Sequence, residues 1–170
     1  TYSFNHVNVT GNNLTPFSIY SYYTPLYLEG WTPSPPYSGV VYVRNNIMSG
    51  TGTGQGIKID KFLTCYVDNN IVSGFGTGWY NWYWGGCIQG SANANTFFNN
   101  GVGVQYTWEG KANITNSTFY NNSNDISLSN TLNDPNYHLH VINTTMTSAA
   151  LSHSDYFRDW YGYSLNVYGW

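Results

Sequence analysis

The sequence repeats one of its own segments. Residues 41–50 read VYVRNNIMSG, and residues 65–74 read CYVDNNIVSG, with seven of the ten positions identical. Weaker copies of the same pattern occur at four other places: residues 4–12, 92–100, 112–122 and 139–147. Self-similarity with a period of roughly 20–30 residues is typical of solenoids, in which each repeat forms one coil. The repeat therefore predicts a stack of coils.

Aligned copies place apolar residues in two columns, five positions apart. The first column holds Val9, Met48, Val72, Phe97, Phe119 and Met146, and the second holds Phe4, Val43, Val67, Ala92, Ile114 and Val141. From Met48 onward, the spacings in the first column are 24, 25, 22 and 27 residues. Coils of a β-solenoid lie about 4.8 Å apart, so like side chains stack on like. We therefore expect Met48, Val72, Phe97 and Phe119 to be buried and stacked.

The segments are short, alternating and interrupted by Gly and Asn, which indicates strands throughout. The motif runs in the same chain direction each time, which favours parallel stacking over a meander. Residues 4–12 and 40–147, with their pattern I-x-N-N-x-V-S-G, resemble the right-handed parallel β-helix of the pectate-lyase-like superfamily. This resemblance implies an all-β solenoid of about five or six coils, and it says little about activity.

A third column lies two residues after the second apolar column, and Asn dominates it. Its members are His6, Asn45, Asn69, Ala94, Asn116 and Asn143. Asn tolerates the left-handed conformation of tight turns, and its amide both donates and accepts hydrogen bonds. We therefore predict an Asn ladder of Asn45, Asn69, Asn116 and Asn143. Ala94 interrupts it, unless the register slips by one and Asn93 or Asn95 takes its place.

The predicted organisation is one set of coils over residues 1–147 and a C-terminal cap and tail over residues 148–170. Two stretches inside the coils depart from the repeat. Residues 14–39 form an irregular insertion with a Pro-rich part, and residues 75–86 form an aromatic loop.

The aromatic loop and the tail supply the candidate contact residues. In the loop these are Trp79, Tyr80, Trp82, Tyr83 and Trp84, and in the tail they are Tyr163, Tyr168 and Trp170. The loop aromatics are expected either to cap one side of the solenoid or to contact sugar rings or another subunit. The tail alternates Leu165 and Val167, so it is expected to add a strand to the edge of a neighbouring subunit.

Composition favours an extracellular protein. Only 8% of the residues are charged and the net charge is −3, so no basic patch for nucleic acid is present. The sequence contains no apolar run of about 18 residues that would span a membrane. Because the chain begins with Thr1, we interpret it as a processed product or an excised piece of a secreted protein.

Six glycosylation sequons and two cysteines fit this location. Asn116 and Asn143 are sequons as well as predicted ladder positions, so the expected sugar acceptors are Asn8, Asn13, Asn113 and Asn121. Cys65 and Cys87 permit one disulfide or two buried thiols.

The sequence contains no recognisable catalytic set, metal site or cofactor motif. The paired carboxylates of polysaccharide hydrolases and the clustered acids of lyases are missing from the eight acidic residues. Asp60, Lys61 and Asp68 are expected either to meet on one face or, as the preferred interpretation, to form only a solvated ion pair. His138 and His140 have no acid or Cys motif beside them. Residues 153–160, HSDYFRDW, are expected to cap the solenoid rather than to catalyse a reaction.

Three functions are therefore expected, in descending order. The first is a non-catalytic structural protein that self-assembles into a surface filament, a sheath or a virion fibre, with copies of itself and glycans as partners. The second is a carbohydrate-binding or carbohydrate-cleaving β-helix, or a fragment of one. The third is an ice- or surface-binding solenoid, for which the single TGTG at 51–54 is too short an array.

Overall fold

The protein is a parallel β-solenoid, which confirms the predicted all-β class. A computed structural model describes residues 6–15, 24–30, 39–81, 89–107, 111–129, 139–147, 151–153 and 165–168. All regular secondary structure in these ranges is β-strand, and every strand pair is parallel. Strands that follow one another along the chain belong to the first, second and third sheets in turn, and the next strand returns to the first sheet one coil further along.

Three sheets wrap the stack; six coils each contribute one strand to each sheet, and β19 adds a seventh strand to the first sheet. The first sheet has seven strands: β1 (His6–Thr10), β4 (Val40–Arg44), β7 (Thr64–Asp68), β10 (Gln89–Asn93), β13 (Lys111–Thr115), β16 (Leu139–Ile142) and β19 (Leu165–Tyr168). The second has six: β2 (Asn13–Leu14), β5 (Ile47–Ser49), β8 (Ile71–Ser73), β11 (Thr96–Phe98), β14 (Thr118–Tyr120) and β17 (Thr145–Met146). The third also has six: β3 (Leu26–Glu29), β6 (Gln55–Asp60), β9 (Thr77–Asn81), β12 (Val102–Thr107), β15 (Asn124–Ser129) and β18 (Leu151–His153).

The apolar columns fill the space between the sheets. Met48, Val72, Phe97 and Phe119 are fully buried and lie in consecutive register positions, as predicted. The rings of Phe97 and Phe119 stack with their centroids 5.1 Å apart. The fully buried residues Val43, Val67, Ala92 and Ile114 likewise stack as the second column.

The first coil requires a correction to the predicted alignment. Leu14, and not Val9, pairs with Met48, while Val9 pairs with Val43 in the second column. Phe4 lies outside the described residues. The predicted alignment of the first coil is shifted by five residues, because Gly11 occupies the turn position at which later coils have Asn or Ala. At φ +68°, Gly11 adopts the left-handed conformation that this turn requires.

The turn between the first and second sheets is the same in each coil. The residue after the first-sheet strand has a positive φ in all six coils: Gly11, Asn45, Asn69, Ala94, Asn116 and Asn143. Five of these were predicted, and Gly11 replaces His6 in the first coil. Left-handed backbone is cheapest for Gly and next for Asn, which explains the composition of this column.

A buried polar ladder follows this turn, one residue beyond the predicted one. The backbone N–H and the Nδ2 of Asn46 both donate to Oδ1 of Asn70, each over 3.0 Å. The backbone N–H and the Nδ2 of Asn70 donate in the same way to Oδ1 of Asn95, over 2.9 and 3.0 Å. Ser117 and Thr144 continue the column with their hydroxyl groups.

The same carboxamides also satisfy backbone carbonyls at the ends of the first-sheet strands. Nδ2 of Asn46, Asn70 and Asn95 donates to the carbonyl oxygens of Val9, Val43 and Val67, at 3.0, 2.9 and 2.6 Å. A second, shorter ladder lies at the turn after the second sheet. There, Asn100 donates to Oδ1 of Asn122 over 3.0 Å from its backbone and 3.1 Å from its side chain.

Segments predicted to be irregular contribute strands to the sheets. β3 lies inside the predicted insertion at 14–39, and β9 lies inside the predicted aromatic loop at 75–86. β18 and β19 come from the predicted cap and tail, and they extend the third and first sheets.

The buried ladder predicts a large difference between two neighbouring substitutions. Asn70→Ala removes a fully used carboxamide and leaves buried N–H and C=O groups without partners, which costs about 1–3 kcal/mol for each group. We expect Asn70→Ala to lower the free energy of unfolding by about 3 kcal/mol. Urea denaturation followed by circular dichroism measures this loss.

The control is Asn69→Ala at the exposed left-handed position before it. Ala94 already occupies the equivalent position at φ +55°, so we expect a loss of about 1 kcal/mol from backbone strain and one side-chain bond. Equal losses for the two variants would contradict the assignment of the buried column as the stabilising ladder.

Candidate functional site

Most of the charged side chains among the described residues form a group on the outer face of the third sheet. Tyr27 and Lys58 lie in register there, as do Glu29 and Asp60. Nζ of Lys58 is 3.4 Å from Oδ2 of Asp60 and 4.7 Å from the centre of the Tyr27 ring. Lys61 forms an ion pair with Glu29, which also accepts a 2.9 Å hydrogen bond from the Tyr27 hydroxyl.

The two carboxylates in this group have opposite pKa shifts. The hydrogen bond from Lys61, and after it the one from Tyr27, lowers the pKa of Glu29. Burial raises the pKa of Asp60, although the charge of Lys58 opposes the shift. Oδ1 of Asp60 is buried and accepts no hydrogen bond. The Glu29–Lys61 ion pair is therefore favourable, whereas Lys58 only partly offsets the cost of burying the Asp60 carboxylate.

Asp68 does not belong to this group, which corrects the expectation that Asp60, Lys61 and Asp68 share one face. Asp68 is at the end of β7 in the first sheet, where Oδ2 is 3.0 Å from Nε of Arg44. Asp60 ends a strand of the third sheet, and Lys61 occupies the turn after it, at φ +62°. The two sheets face different directions, so the acids are separated.

The opposite shifts predict opposite pH dependences of stability. A raised native pKa gives stability that is present below the ordinary Asp pKa and is lost as pH rises through the native value. A lowered native pKa gives stability that is present above the ordinary Glu pKa and is lost as pH falls through the native value. We expect the Tm advantage of the wild type over Asp60→Asn to grow as the pH falls from 7 to 3.

Glu29→Gln is the matched control, and its difference from the wild type should shrink over the same pH range. Thermal denaturation of the three proteins in a series of buffers measures both differences. Changes of the same sign for the two variants would show that burial does not control Asp60.

A column of stacked aromatic rings covers part of the outer face of the first sheet. His6, Tyr42 and Tyr66 stack with centroid distances of 6.3 and 5.1 Å and interplanar angles of 10° and 9°. The Arg44 guanidinium lies 4.3 Å from the centre of the Tyr42 ring. Ring faces that stack on one another are not presented to solvent. The column therefore stabilises adjacent coils and provides no flat platform for sugar rings.

The outer face of the second sheet carries no charge among its described residues. Ile47 and Ile71 are 46% and 41% exposed, and they continue the column of Thr96, Thr118 and Thr145. Phe98 and Tyr120 stack beside this column at 4.8 Å. TGTG at 51–54 lies in the connection before β6 and contributes nothing to the Thr column.

The predicted contact residue Trp79 is not on the surface, which corrects its assignment. Strand alternation in β9 directs Trp79 into the core, where it is fully buried and lies in register between Ile57 and Val104. Its ring meets Tyr106 edge to face, with the centroids 6.4 Å apart. A side chain without solvent exposure cannot contact a sugar or a subunit.

Several other predicted contact residues lie on or beyond the described strands. Tyr80 is half-buried on the outer face of β9, in register with Lys58. Tyr168 is the last residue of β19. The rest, Trp82, Tyr83, Trp84, Tyr163 and Trp170, lie outside the described residues.

The six sequon asparagines are all exposed, and their side-chain bonding separates them into two groups. Nδ2 of Asn143 donates to Oδ1 of Asn116 over 2.7 Å, and Nδ2 of Asn116 donates to Asn93 over 2.9 Å. In the earlier coils, Asn69 donates to Asn45 over 2.8 Å. Ala94 separates these two bonded stretches of the predicted exposed ladder.

The bonding pattern predicts which sequons carry sugar, provided that the protein passes through a glycosylating pathway. The sugar attaches to Nδ2, and in Asn116 and Asn143 that atom is engaged within the ladder. We expect glycopeptide mass spectrometry to find sugar on Asn8, Asn13, Asn113 and Asn121, and none on the ladder pair. Sugar on Asn116 together with an unmodified Asn113 would contradict this assignment.

The remaining sequence candidates are placed as follows. Cys65 is fully buried in β7 and is disulfide-bonded, while Cys87 lies outside the described residues. His140 lies in β16, and His138 lies outside the described residues.

Residues 6–153 and 165–168, where described, contain no group of three or more His, Cys, Asp or Glu side chains that could hold a metal ion. In the same described ranges, no helix is long and apolar enough to cross a membrane.

The two ends of the stack are the remaining candidate site. At one end, β1, β2 and β3 each pair with a described strand on one side only, and at the other end the same holds for β17, β18 and β19. These six strands contain one charged residue, Glu29, which is paired with Lys61. The tail was expected to add a strand to a neighbouring subunit, and its strand β19 pairs with β16 of its own chain and ends the first sheet.

Fold and geometry define the protein as a parallel β-helix whose described charged side chains are engaged in structural contacts. No family model matches the chain, and no curated protein and no solved structure matches it either.

Proposed function

We propose that this protein is a non-catalytic extracellular structural protein whose copies join end to end. The assembly would be a surface filament, a sheath or a virion fibre. The observation that carries this proposal is the chemistry of the open ends. An unpaired strand edge is a template for another strand, and natural edges are normally blocked by charged side chains, Pro or bulges. Five of the six end strands contain no Asp, Glu, Lys or Arg, and none contains Pro.

The geometry of the stack supports a polymer rather than a closed ring or a dimer. All strands are parallel, so the two ends differ and a contact between them is heterologous. Joining one end to the opposite end of the next copy continues the coil axis. A heterologous contact that does not close produces a filament.

The scarcity of charge favours association as well. Only 8% of the chain is charged, and Arg44, Lys58 and Lys61 are each paired with a carboxylate. Like-charge repulsion, which keeps many soluble proteins apart, is therefore weak at these surfaces.

The second candidate, a carbohydrate-binding or carbohydrate-cleaving protein, has less support. Trp79 is buried, the Tyr42–Tyr66 rings stack on each other, and the Glu29–Asp60 group is paired with lysines. A distant relationship to the pectate-lyase-like superfamily, with a right-handed coil, remains part of the proposal. It is supported by the three-sheet parallel architecture and the Asn ladders.

The proposal predicts that blocking the edge of β1 abolishes assembly. The backbone N–H of Gly11 donates to the Arg44 carbonyl oxygen over 3.1 Å. Alternate residues of a strand point to the same side, so Val9 also faces β4 while the N–H of Asn8 faces the open edge. Asn8→Pro removes that N–H without breaking a bond inside the protein. We expect size-exclusion chromatography and negative-stain microscopy to show polymers of the wild type and monomers of this variant.

Asn8→Gln is the matched control, because it removes the same sequon and retains the N–H. It should polymerise like the wild type, and both variants should keep the circular dichroism and Tm of the wild type. A wild-type protein that is monomeric at high concentration would contradict the proposal. If that monomer also binds a polysaccharide, the second candidate is favoured.

A further inference from the structure

The first and last strands of the first sheet carry nearly the same sequence. Residues 7–11 read VNVTG, and residues 165–169 read LNVYG. By backbone register, Asn8 aligns with Tyr42 and Val9 with Val43 at one end, while Asn166 aligns with His140 and Val167 with Val141 at the other. The five intervening copies have Asn or Ala at the fifth position of this motif, and the two end copies have Gly.

The two end strands cannot pair within one molecule. They are the outermost strands of a seven-stranded sheet, separated by six strand spacings. At about 4.8 Å per spacing they lie roughly 29 Å apart. Any contact between them therefore joins two copies of the chain.

We infer that β19 of one copy pairs in parallel with β1 of the next copy, with Val167 beside Val9 and Asn166 beside Asn8. The inference rests on the proposed end-to-end assembly, and it identifies the junction and its register. In this register Val141, Val167 and Val9 occupy aligned positions in three successive strands across the junction. His140, Asn166 and Asn8 are aligned in the same way.

The hydrogen-bonding directions of the two edges are complementary. In β1, the N–H and C=O of Asn8 point to the open edge, as does the N–H of Thr10. In β19, the same alternation directs the backbone N–H and C=O groups of Leu165 and Val167 to the opposite edge. In the interior strands, the aligned side of the backbone faces the following coil, as the N–H of Asn116 does. The junction thus forms three bonds: Asn8 N–H to Leu165 C=O, Val167 N–H to Asn8 C=O, and Thr10 N–H to Val167 C=O.

Asn12 leaves an exposed side-chain acceptor at this end of the buried ladder. Oδ1 of Asn46, Asn70 and Asn95 accepts hydrogen bonds from the coil before it. Asn12 is the first member of this ladder, and its Oδ1 accepts no hydrogen bond from a described residue, although its N–H and Nδ2 donate to Asn46. A preceding coil from another copy would supply the donor.

Cysteine cross-linking tests the register. Directly opposed residues in parallel strands are about 4.8 Å apart at Cα, within the range of a disulfide. We expect the double variant Asn8→Cys, Asn166→Cys to form a ladder of covalent oligomers under mild oxidation. Non-reducing gels measure the oligomers, and mass spectrometry of tryptic peptides identifies the cross-linked pair.

The control moves one cysteine by two residues on the same strand. In the double variant Asn8→Cys, Tyr168→Cys, the Cα atoms would be about 8 Å apart, too far for a disulfide. We expect the in-register pair to give at least about fivefold more covalent oligomer than this offset pair. If filaments form without a cross-link, or with more cross-link in the offset pair, the proposed β19–β1 register is wrong. The proposed end-to-end assembly would not be contradicted by that result. A wild type without filaments would overturn the assembly itself.

Discussion

The side-chain amide that bonds to the coil before it and to the coil after it is the interaction on which this structure depends. A tight turn after each first-sheet strand leaves backbone groups that the sheets cannot satisfy, and burying them unpaired costs about 1–3 kcal/mol each. Asn46 and Asn70 solve this by donating to a carbonyl oxygen of the previous coil and to the carboxamide of the following one. The ladder thereby fixes the distance between coils and the register of the strands that follow each turn.

The stacking of like residues explains how much of the fold the sequence predicts. Residues in neighbouring coils share one environment, so the apolar columns and the solenoid class can be derived from spacing alone. The ladder was placed one residue too early because the repeats contain two consecutive Asn residues, such as Asn69 and Asn70. The first is exposed with φ +58° and the second is 1% exposed. Both roles suit Asn, and the sequence does not distinguish them until the direction of each side chain is known.

The third sheet was poorly predicted because its residues are not alike from coil to coil. Its buried column reads Leu26, Ile57, Trp79, Val104 and Ile126, with a bulky indole among aliphatic side chains. Trp79 belongs to a run of aromatic residues and was therefore interpreted as part of a surface loop. In the strand Thr77–Asn81, Trp79 is buried and the neighbouring Tyr80 is half-buried, a difference that the run of aromatic residues does not reveal. The ion pair between Glu29 and Lys61 was not predictable, because the two residues are 32 positions apart in regions without repeated sequence.

The regularity of the stack has a consequence for how it ends. Within the stack, every coil presents the next one with the same apolar columns and the same ladder, so nothing in the interior limits the number of coils. Only the chemistry of the end strands can stop the growth of such a structure, and proteins that remain monomeric place charges or Pro there. Here the end strands have the composition of interior strands, and Asn12 retains an acceptor that interior coils use. The same interactions that hold coil on coil within a molecule are therefore available between molecules, and the proposed end-to-end assembly would use them.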